Sequence, residues 1–589
     1  MIVTLADVEK WNPEAIREVF RAAGRGGTAV EDASRTLGSL PFAGWGGDAA
    51  AAASNSNDRL RHDLDAHGTV MKVVAAAAEK AADDVALLRR KLSLLHSDAD
   101  AWGYAVDAAT NSVQPTRETK ESLGAELQDR IRALLAEADD VDDRLARTID
   151  YADGDIDIPP FHADVQSILD GRSTPPNDPA AFHDWWSQLS REEKDALWEH
   201  DQYLGNHGGM PAEDRDHYNR RKLDDELTRS AMAHSEVEIL EKAHPDWARG
   251  ENIPGIKMAD RGDYYQFLSH LSDARGRAKD YDDLRATKEQ LDPNRADRTG
   301  ETHPDRLLLV LDTATGDRPH VAIAQGNPDT ADNVATYVPG TGSRPSKMGE
   351  DMVRVDSMHD AAVAAGGAKT SVIAWFGYDA PQEIYGDAPQ REYAEKAAPL
   401  LDRFQEGLRG SHIGEPSVNT VIGHSYGTTV VGAAASGGHV LDADQVVFVA
   451  SPGTMVDHAA DLRLTGIAPA DMADHVFATK AAHDPVPLYP MAHNGATVRI
   501  IEHGASLLPG IGDAFTGFFT YQGLTTDDFG ADPTGADFGG TTFSSDPGTA
   551  TRIAGFDTYN PAAHSEYWTE HNAALQNMGS IIAGHGKVN

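Results

Sequence analysis

Residues 418–435 read VNTVIGHSYGTTVVGAAA, and this stretch decides how the rest of the chain is understood. Val418-Asn419-Thr420-Val421-Ile422 is short, apolar and rich in β-branched residues, the pattern of a buried strand. Thr428 to Ala435 are small residues able to start a helix packed tightly on a sheet. Between them stands Gly423-His424-Ser425-Tyr426-Gly427. A bare Gly-x-Ser-x-Gly arises by chance in a long glycine-rich chain, but strand, motif and helix in succession describe a nucleophile elbow. The turn strains the backbone at Ser425, so glycine is needed two residues to either side. The serine oxygen is then presented at the carboxyl end of a strand, beside the amino end of a helix. A serine nucleophile is the expectation.

Working outward, short apolar strands alternate with helices from Arg306 onward. Strands are predicted at Leu307–Leu311, Val321–Ala324, Val334–Val338, Ser371–Phe376, Val418–Ile422, Val446–Ala450, His475–Thr479 and Thr497–Ile501. Helices are predicted near Ser357–Ala365, Arg391–Leu408 and Gly427–Ser436. A leading hairpin followed by alternating elements implies a mostly parallel eight-stranded sheet with helices on both faces. The elbow falls on the fifth strand, the position where an α/β-hydrolase carries it.

A serine hydroxyl needs a base within hydrogen-bond reach, itself oriented by an acid. The chain order Ser, acid, His places the acid after the seventh strand. There Asp484 precedes Pro485, which stiffens a turn at the carboxyl edge of the sheet. The base follows the last strand: His564 in NPAAHSEYW is favoured over His503, which ends IIEHG, with His571 and His585 further downstream. A developing oxyanion calls for preorganised N–H donors. One is the backbone N–H of Tyr426; the other is Gly340 or Thr341 in the loop Val338-Pro339-Gly340-Thr341-Gly342-Ser343, since Pro339 has none to give. Trp375, Phe376 and Tyr378, after the fourth strand, are placed as pocket residues. The long Gly-, Asp- and Thr-rich stretch before His564, with Phe515, Phe518, Phe519 and Tyr521, is either a lid over an acyl pocket or packing for the helical region.

The first third of the chain is helical. Leu60, Leu64, Met71, Val74, Ala78, Ala81, Val85, Leu88, Leu92 and Leu95 form a seam at spacings of mostly three and four on one long helix. Glu14 to Leu40 forms an antiparallel partner across the turn PFAGWGG. A further helix aligns Leu123, Leu127, Ile131, Leu134, Ala138, Val141, Leu145 and Ile149. A second helical region carries DWWSQLS, with Ser190 as the cap of a helix bearing Leu197 and Trp198. A polar stretch, DPNRADRTGETHPD, reads as a linker. The boundaries drawn are 1–155, 156–300 and 301–589.

Composition narrows the function. A formal charge of −41 argues against a nucleic-acid or anionic-membrane surface as partner, and the absence of cysteine excludes thiolate catalysis and cysteine-bound zinc. PGTG lacks the Lys-Ser/Thr of a phosphate-binding loop, and DGDID lacks the Gly and Glu of a calcium loop, so no cofactor or metal is expected. No segment has the length and apolarity to span a bilayer, and no Sec signal peptide is visible. A cytoplasmic location, or export without a Sec signal, is the expectation.

Two resemblances add to this reading. YVPGTGS, AWFGYDAP, VIGHSYGTT, HDPVP and HSEYW, in this order, resemble the actinobacterial α/β-hydrolases catalogued as a domain of unknown function. The DWWSQLS segment resembles the usual preface of that family. The resemblance implies Ser425, Asp484 and His564 in the roles of nucleophile, acid and base. The helix, Trp45-Gly46-Gly47 turn and helix resemble WXG-type hairpins of type VII secretion substrates, and Tyr151 with Asp155 fits their Tyr-x-x-x-Asp signal. The expected function is an esterase or lipase-like hydrolase of a small-molecule or lipid ester. The alternative is an exported or partner-binding protein whose helical residues 1–155 are the main functional element.

Overall fold

The computed structural model describes residues 3–38, 48–117, 121–153, 161–253, 262–292, 306–367, 369–383, 388, 390–486, 529–553, 556–586, 588 and 589. Two compact units divide at residue 160.

The first unit contains helices α1 (Leu5–Lys10), α2 (Pro13–Gly38), α3 (Asp48–Trp102) and α4 (Glu121–Asp153). The seam read from the sequence forms its core over part of its length. Ala81, Val85, Leu88, Leu92 and Leu95 of α3 are buried with Leu127, Ile131, Leu134, Ala138 and Val141 of α4. Leu60 and Ile149, at the outer ends of the two stripes, remain 49% and 45% exposed. A short antiparallel hairpin, β1 (Tyr104–Asp107) and β2 (Ser112–Pro115), joins α3 to α4 and escaped the helical reading. Its turn places Asn111 at φ +55°, a conformation Asn tolerates, and the Asn111 side chain accepts the Leu5 N–H at 2.9 Å. The Trp45-Gly46-Gly47 turn and Asp155 lie outside the described residues.

The second unit is built on one eight-stranded sheet. Its strands are β3 (Arg306–Asp312), β4 (His320–Gln325), β5 (Asn333–Val338), β6 (Thr370–Phe376), β7 (Val418–His424), β8 (Gln445–Val449), β9 (Val476–Thr479) and β10 (Thr541–Thr542). Their spatial order is β10-β9-β8-β7-β5-β6-β4-β3. Only the pairs β3–β4 and β4–β6 are antiparallel. The central strands β5 and β6 are buried at every position, as strands covered on both faces must be. Helices Gly349–Ala364 and Ala573–Ile582 cover one face through Met352, Val355, Met578 and Ile581. Helices Glu392–Ser411 and Tyr426–Ala434 cover the other through Leu401, Leu408, Val430 and Val431. The eighth position in the sheet is taken by Thr541–Thr542; the strand expected at Thr497–Ile501 lies outside the described residues. A small hairpin, β11 (Thr551–Ile553) and β12 (Phe556–Thr558), precedes the last helical segments.

The helices of residues 161–292 belong to the same compact unit as the sheet. Ser190 caps Arg191–His200 in a reciprocal box with Glu193, an arrangement that contributes about 1 kcal/mol. Helix Ala212–Ala243 lies against the outer edge of β3. There Arg215 Nε donates to the Leu309 carbonyl at 2.8 Å and Asp216 accepts the Leu308 N–H at 2.7 Å. Asn206 both accepts from the Leu311 N–H at 2.8 Å and donates to the Leu311 carbonyl at 2.9 Å. Side chains thus take the hydrogen bonds that a further strand would make. No helix among the described residues is long and apolar enough to cross a membrane.

Candidate active site

Between residues 421 and 436 every residue is buried except Ser425. It sits between β7 and helix Tyr426–Ala434 with φ +55° and ψ −128°, a strained conformation for a residue with a side chain. Such a conformation costs roughly 1–3 kcal/mol and persists only where the surroundings enforce it. The surroundings are tight. The Ser425 N–H donates to the Val449 carbonyl at 3.0 Å, fixing the turn to β8. A Cβ on Gly427 would lie 2.1 Å from the Val338 carbonyl oxygen, so that position admits glycine alone.

Gly340, one of the two donor candidates, runs directly against this turn. A Cβ there would lie 2.7 Å from Ser425 Cβ and 3.0 Å from the Tyr426 nitrogen. The loop backbone therefore lies against both the serine and the first nitrogen of the helix. Ser343 secures the loop, its N–H and hydroxyl both directed to the Gly340 carbonyl. Tyr426 itself is buried, its hydroxyl donating to the Gln390 carbonyl and accepting the Ala394 N–H at 3.2 Å. Thr341 is half-buried beside Gly340.

Asp484 and His564, 80 residues apart in sequence, meet in space. His564 Nδ1 lies 3.0 and 2.9 Å from the two carboxylate oxygens. A carboxylate only accepts, so Nδ1 carries the proton and Nε2 is left as the basic nitrogen. The carboxylate is buried and receives two further donors, the Val486 N–H at 2.9 Å and the Tyr567 hydroxyl at 2.7 Å. Tyr567 was not singled out from the sequence. Its signal was its spacing: His564 and Tyr567 share the 3₁₀ segment Pro561–Trp568, in which residues three apart eclipse. Both therefore face the same acid. The Tyr567 oxygen also accepts the Ala481 N–H at 2.8 Å, which leaves its proton for Asp484.

His424, the second residue of the motif, was likewise passed over. Its Nε2 lies 2.9 Å from the His564 carbonyl oxygen and its ring packs 4.7 Å from the His564 ring. Burial, then the neighbouring His564 and Arg354, holds its imidazole well below the usual histidine range. It is accordingly neutral and donates through Nε2–H. His503 lies outside the described residues, as do Phe515, Phe518, Phe519 and Tyr521.

Residues 315–493 match a family described as alpha/beta hydrolase. The C-terminal region carries an α/β-hydrolase domain. Residues 40–176 match a second family, described as uncharacterised protein Rv0964c. Among curated proteins, the chain is similar to the uncharacterized protein Rv2079 of Mycobacterium tuberculosis, 29% identical over 69% of this chain and 55% of that protein. It is also similar to the uncharacterized protein Mb0988c of Mycobacterium bovis, 33% identical over 31% of this chain and 66% of that protein. The chain thus spans about half the length of the first of these relatives. A domain of this family suggests hydrolytic chemistry.

Within the α/β-hydrolase domain the three expected pocket aromatics divide, Trp375 and Phe376 closing β6 and Tyr378 following it. Phe376 and Tyr378 line a cavity beside the Gly340 loop, where the Tyr378 hydroxyl donates to the Pro339 carbonyl at 2.7 Å. Trp375 instead packs into the core, 5.8 Å from the Tyr378 ring and 6.3 Å from Phe404.

Proposed function

We propose that the α/β-hydrolase domain cleaves a carboxylic ester through an acyl-enzyme on Ser425. The observation that carries this reading is the bidentate approach of His564 Nδ1 to buried Asp484, which leaves Nε2 as the base of a domain whose nucleophile turn is strained, with Ser425 its one residue that is not buried. His564 takes the Ser425 proton as Oγ attacks the ester carbonyl carbon. The resulting oxyanion is held by the Tyr426 N–H and by the N–H of Gly340 or Thr341. The carbon–oxygen bond breaks, the leaving alkoxide takes the proton from His564, and water, deprotonated by the same nitrogen, releases the acid. Asp484 fixes the tautomer and stabilises the imidazolium throughout. Thioester, amide and transfer chemistry would use the same groups.

Labelling with a fluorophosphonate, with Ser425→Ala as control, tests the nucleophile; para-nitrophenyl esters of graded length then size the acyl pocket. Labelling of Ser425 in the wild type and its loss in the variant is the expected result. Absence of labelling on folded protein would overturn the reading.

A second reading concerns residues 1–155. The packing of α2 on α3 forms a long helical pair, the element a helical partner or a type VII export apparatus would engage. Recovery of the chain outside cells only when such an apparatus is intact supports it; purely cytosolic recovery sinks it.

A further inference from the structure

The Gly340 loop continues into Ser343 and Arg344, and these open onto a cavity of about 190 Å³. Phe376, Tyr378 and Tyr393 form an apolar wall, and Arg318 and Arg344 bring two guanidinium groups. The two arginines differ in their commitments. Arg318 Nη1 lies 3.2 Å from Asp283, which also accepts the Ser346 N–H at 2.8 Å, so its charge is answered from behind. Arg344 Nε is buried with no hydrogen-bond partner, and its guanidinium has no ion pair among the described residues. Two carboxylates also line the cavity. Asp379 is occupied by the Asp317 N–H at 3.1 and 3.2 Å, and Asp317 itself is exposed.

Leaving a buried charged donor without an acceptor is unfavourable, and each such group in a folded protein needs a reason. A planar guanidinium matches the two oxygens of a carboxylate or phosphate. The volume is below the roughly 300–1,000 Å³ of pockets that enclose a whole small ligand, which suits one end group of a larger one. We propose that this cavity is a subsite for a small anionic group, a carboxylate or phosphate carried by the ester, with Arg344 as its ligand and Phe376 and Tyr378 packing the adjoining carbons. The assignment rests on Ser425 being the nucleophile of an ester hydrolase.

The test compares kcat/KM within matched pairs of esters. For an acyl-side carboxylate the pair is the mono-para-nitrophenyl ester of glutarate and its methyl ester. For a leaving-group carboxylate it is para-acetoxybenzoate and its methyl ester, and for phosphate it is para-acetoxyphenyl phosphate and phenyl acetate. Wild type is expected to prefer the anionic member of at least one pair by about tenfold or more, as a charge-assisted hydrogen bond provides, although a net charge of −41 repels every anion. Arg344→Gln is expected to bring that ratio to one or below, and Arg344→Lys to keep part of it. Fluorophosphonate labelling of both variants at Ser425 reports that each is folded. Neutral members preferred in every pair, or a ratio unchanged in Arg344→Gln, would overturn the subsite. A wild type that labels at Ser425 but ignores substrate charge loses the subsite alone; one that does not label loses the parent reading as well.

Discussion

His424 and His564 meet twice, through the 2.9 Å contact of His424 Nε2 with the His564 carbonyl and through rings 4.7 Å apart. One histidine belongs to the nucleophile turn and the other follows the last strand of the sheet, so this contact ties the two halves of the proposed site directly. Asp484 orients the His564 ring; His424 holds its backbone. Replacing His424 by Phe should lower kcat about tenfold to a hundredfold, with KM little changed, because a small displacement of a positioned group is costly to turnover. His424→Gln, which keeps an N–H of similar reach, should recover much of the loss. Steady-state kinetics on a para-nitrophenyl ester separate the two; equal losses in both variants would remove the positioning role.

Tyr567 donates to Asp484 at 2.7 Å, on the oxygen that His564 Nδ1 also approaches at 2.9 Å. Tyr567→Phe removes the donor while keeping the ring. The lost bond to a charged acceptor amounts to about 1.5–3 kcal/mol. Tyr567→Phe should therefore lower kcat/KM about tenfold in steady-state kinetics on a para-nitrophenyl ester, with KM little changed. Unchanged kinetics with reduced stability would mean that Tyr567 serves packing alone.

Gly340 has no room for a side chain. Gly340→Ala places a methyl 2.7 Å from Ser425 Cβ and must push the loop away from the Tyr426 nitrogen. Turnover should fall by about a hundredfold or more, the scale for disturbing an oxyanion donor. Substrate binding should suffer less, a split that pre-steady-state kinetics would reveal.

Stability should decline on mild acidification for a traceable reason. Burial holds His424 well below its usual value, and burial lowers His207 to about 4. Below about pH 6.5 the unfolded chain takes up protons that these two folded groups refuse. Each group therefore withdraws roughly 1.4 kcal/mol of unfolding free energy per pH unit as pH falls from about 6.5, for His207 until about pH 4. Denaturant titrations between pH 7.5 and 5 should show this slope, and His207→Gln should flatten it; an unchanged slope would exclude His207 as a source.

How much of this was legible in the sequence depends on the range of the signal. The strands from Leu307 to Thr479 were readable because strands of a sheet covered by helices are short, mostly apolar runs, whether parallel or, as in β3 and β4, antiparallel, and the elbow because its steric demand is local. Asp484 and His564 could be placed by chain order, since strand succession fixes which edge each reaches. Tyr567 and His424 were not readable as partners: their roles arise from contacts across 83 and 140 residues that no local pattern encodes. The hairpin at Tyr104–Pro115 was masked by its setting between two long amphipathic helices. Its four-residue strands carry too few apolar positions to announce a change of period.

The side chains along the outer edge of β3 have a consequence for dissecting the chain. Asn206, Arg215 and Asp216 occupy donors and acceptors that would otherwise recruit another copy of the sheet. A fragment begun at residue 301, where the composition suggests a cut, would bare a seven-residue strand ready to pair with its own kind. A fragment begun at residue 161 keeps that edge sealed. The smallest piece of this protein that keeps its sheet from pairing with itself is therefore set by hydrogen-bond closure, and it includes helices that lie outside the matched hydrolase residues 315–493.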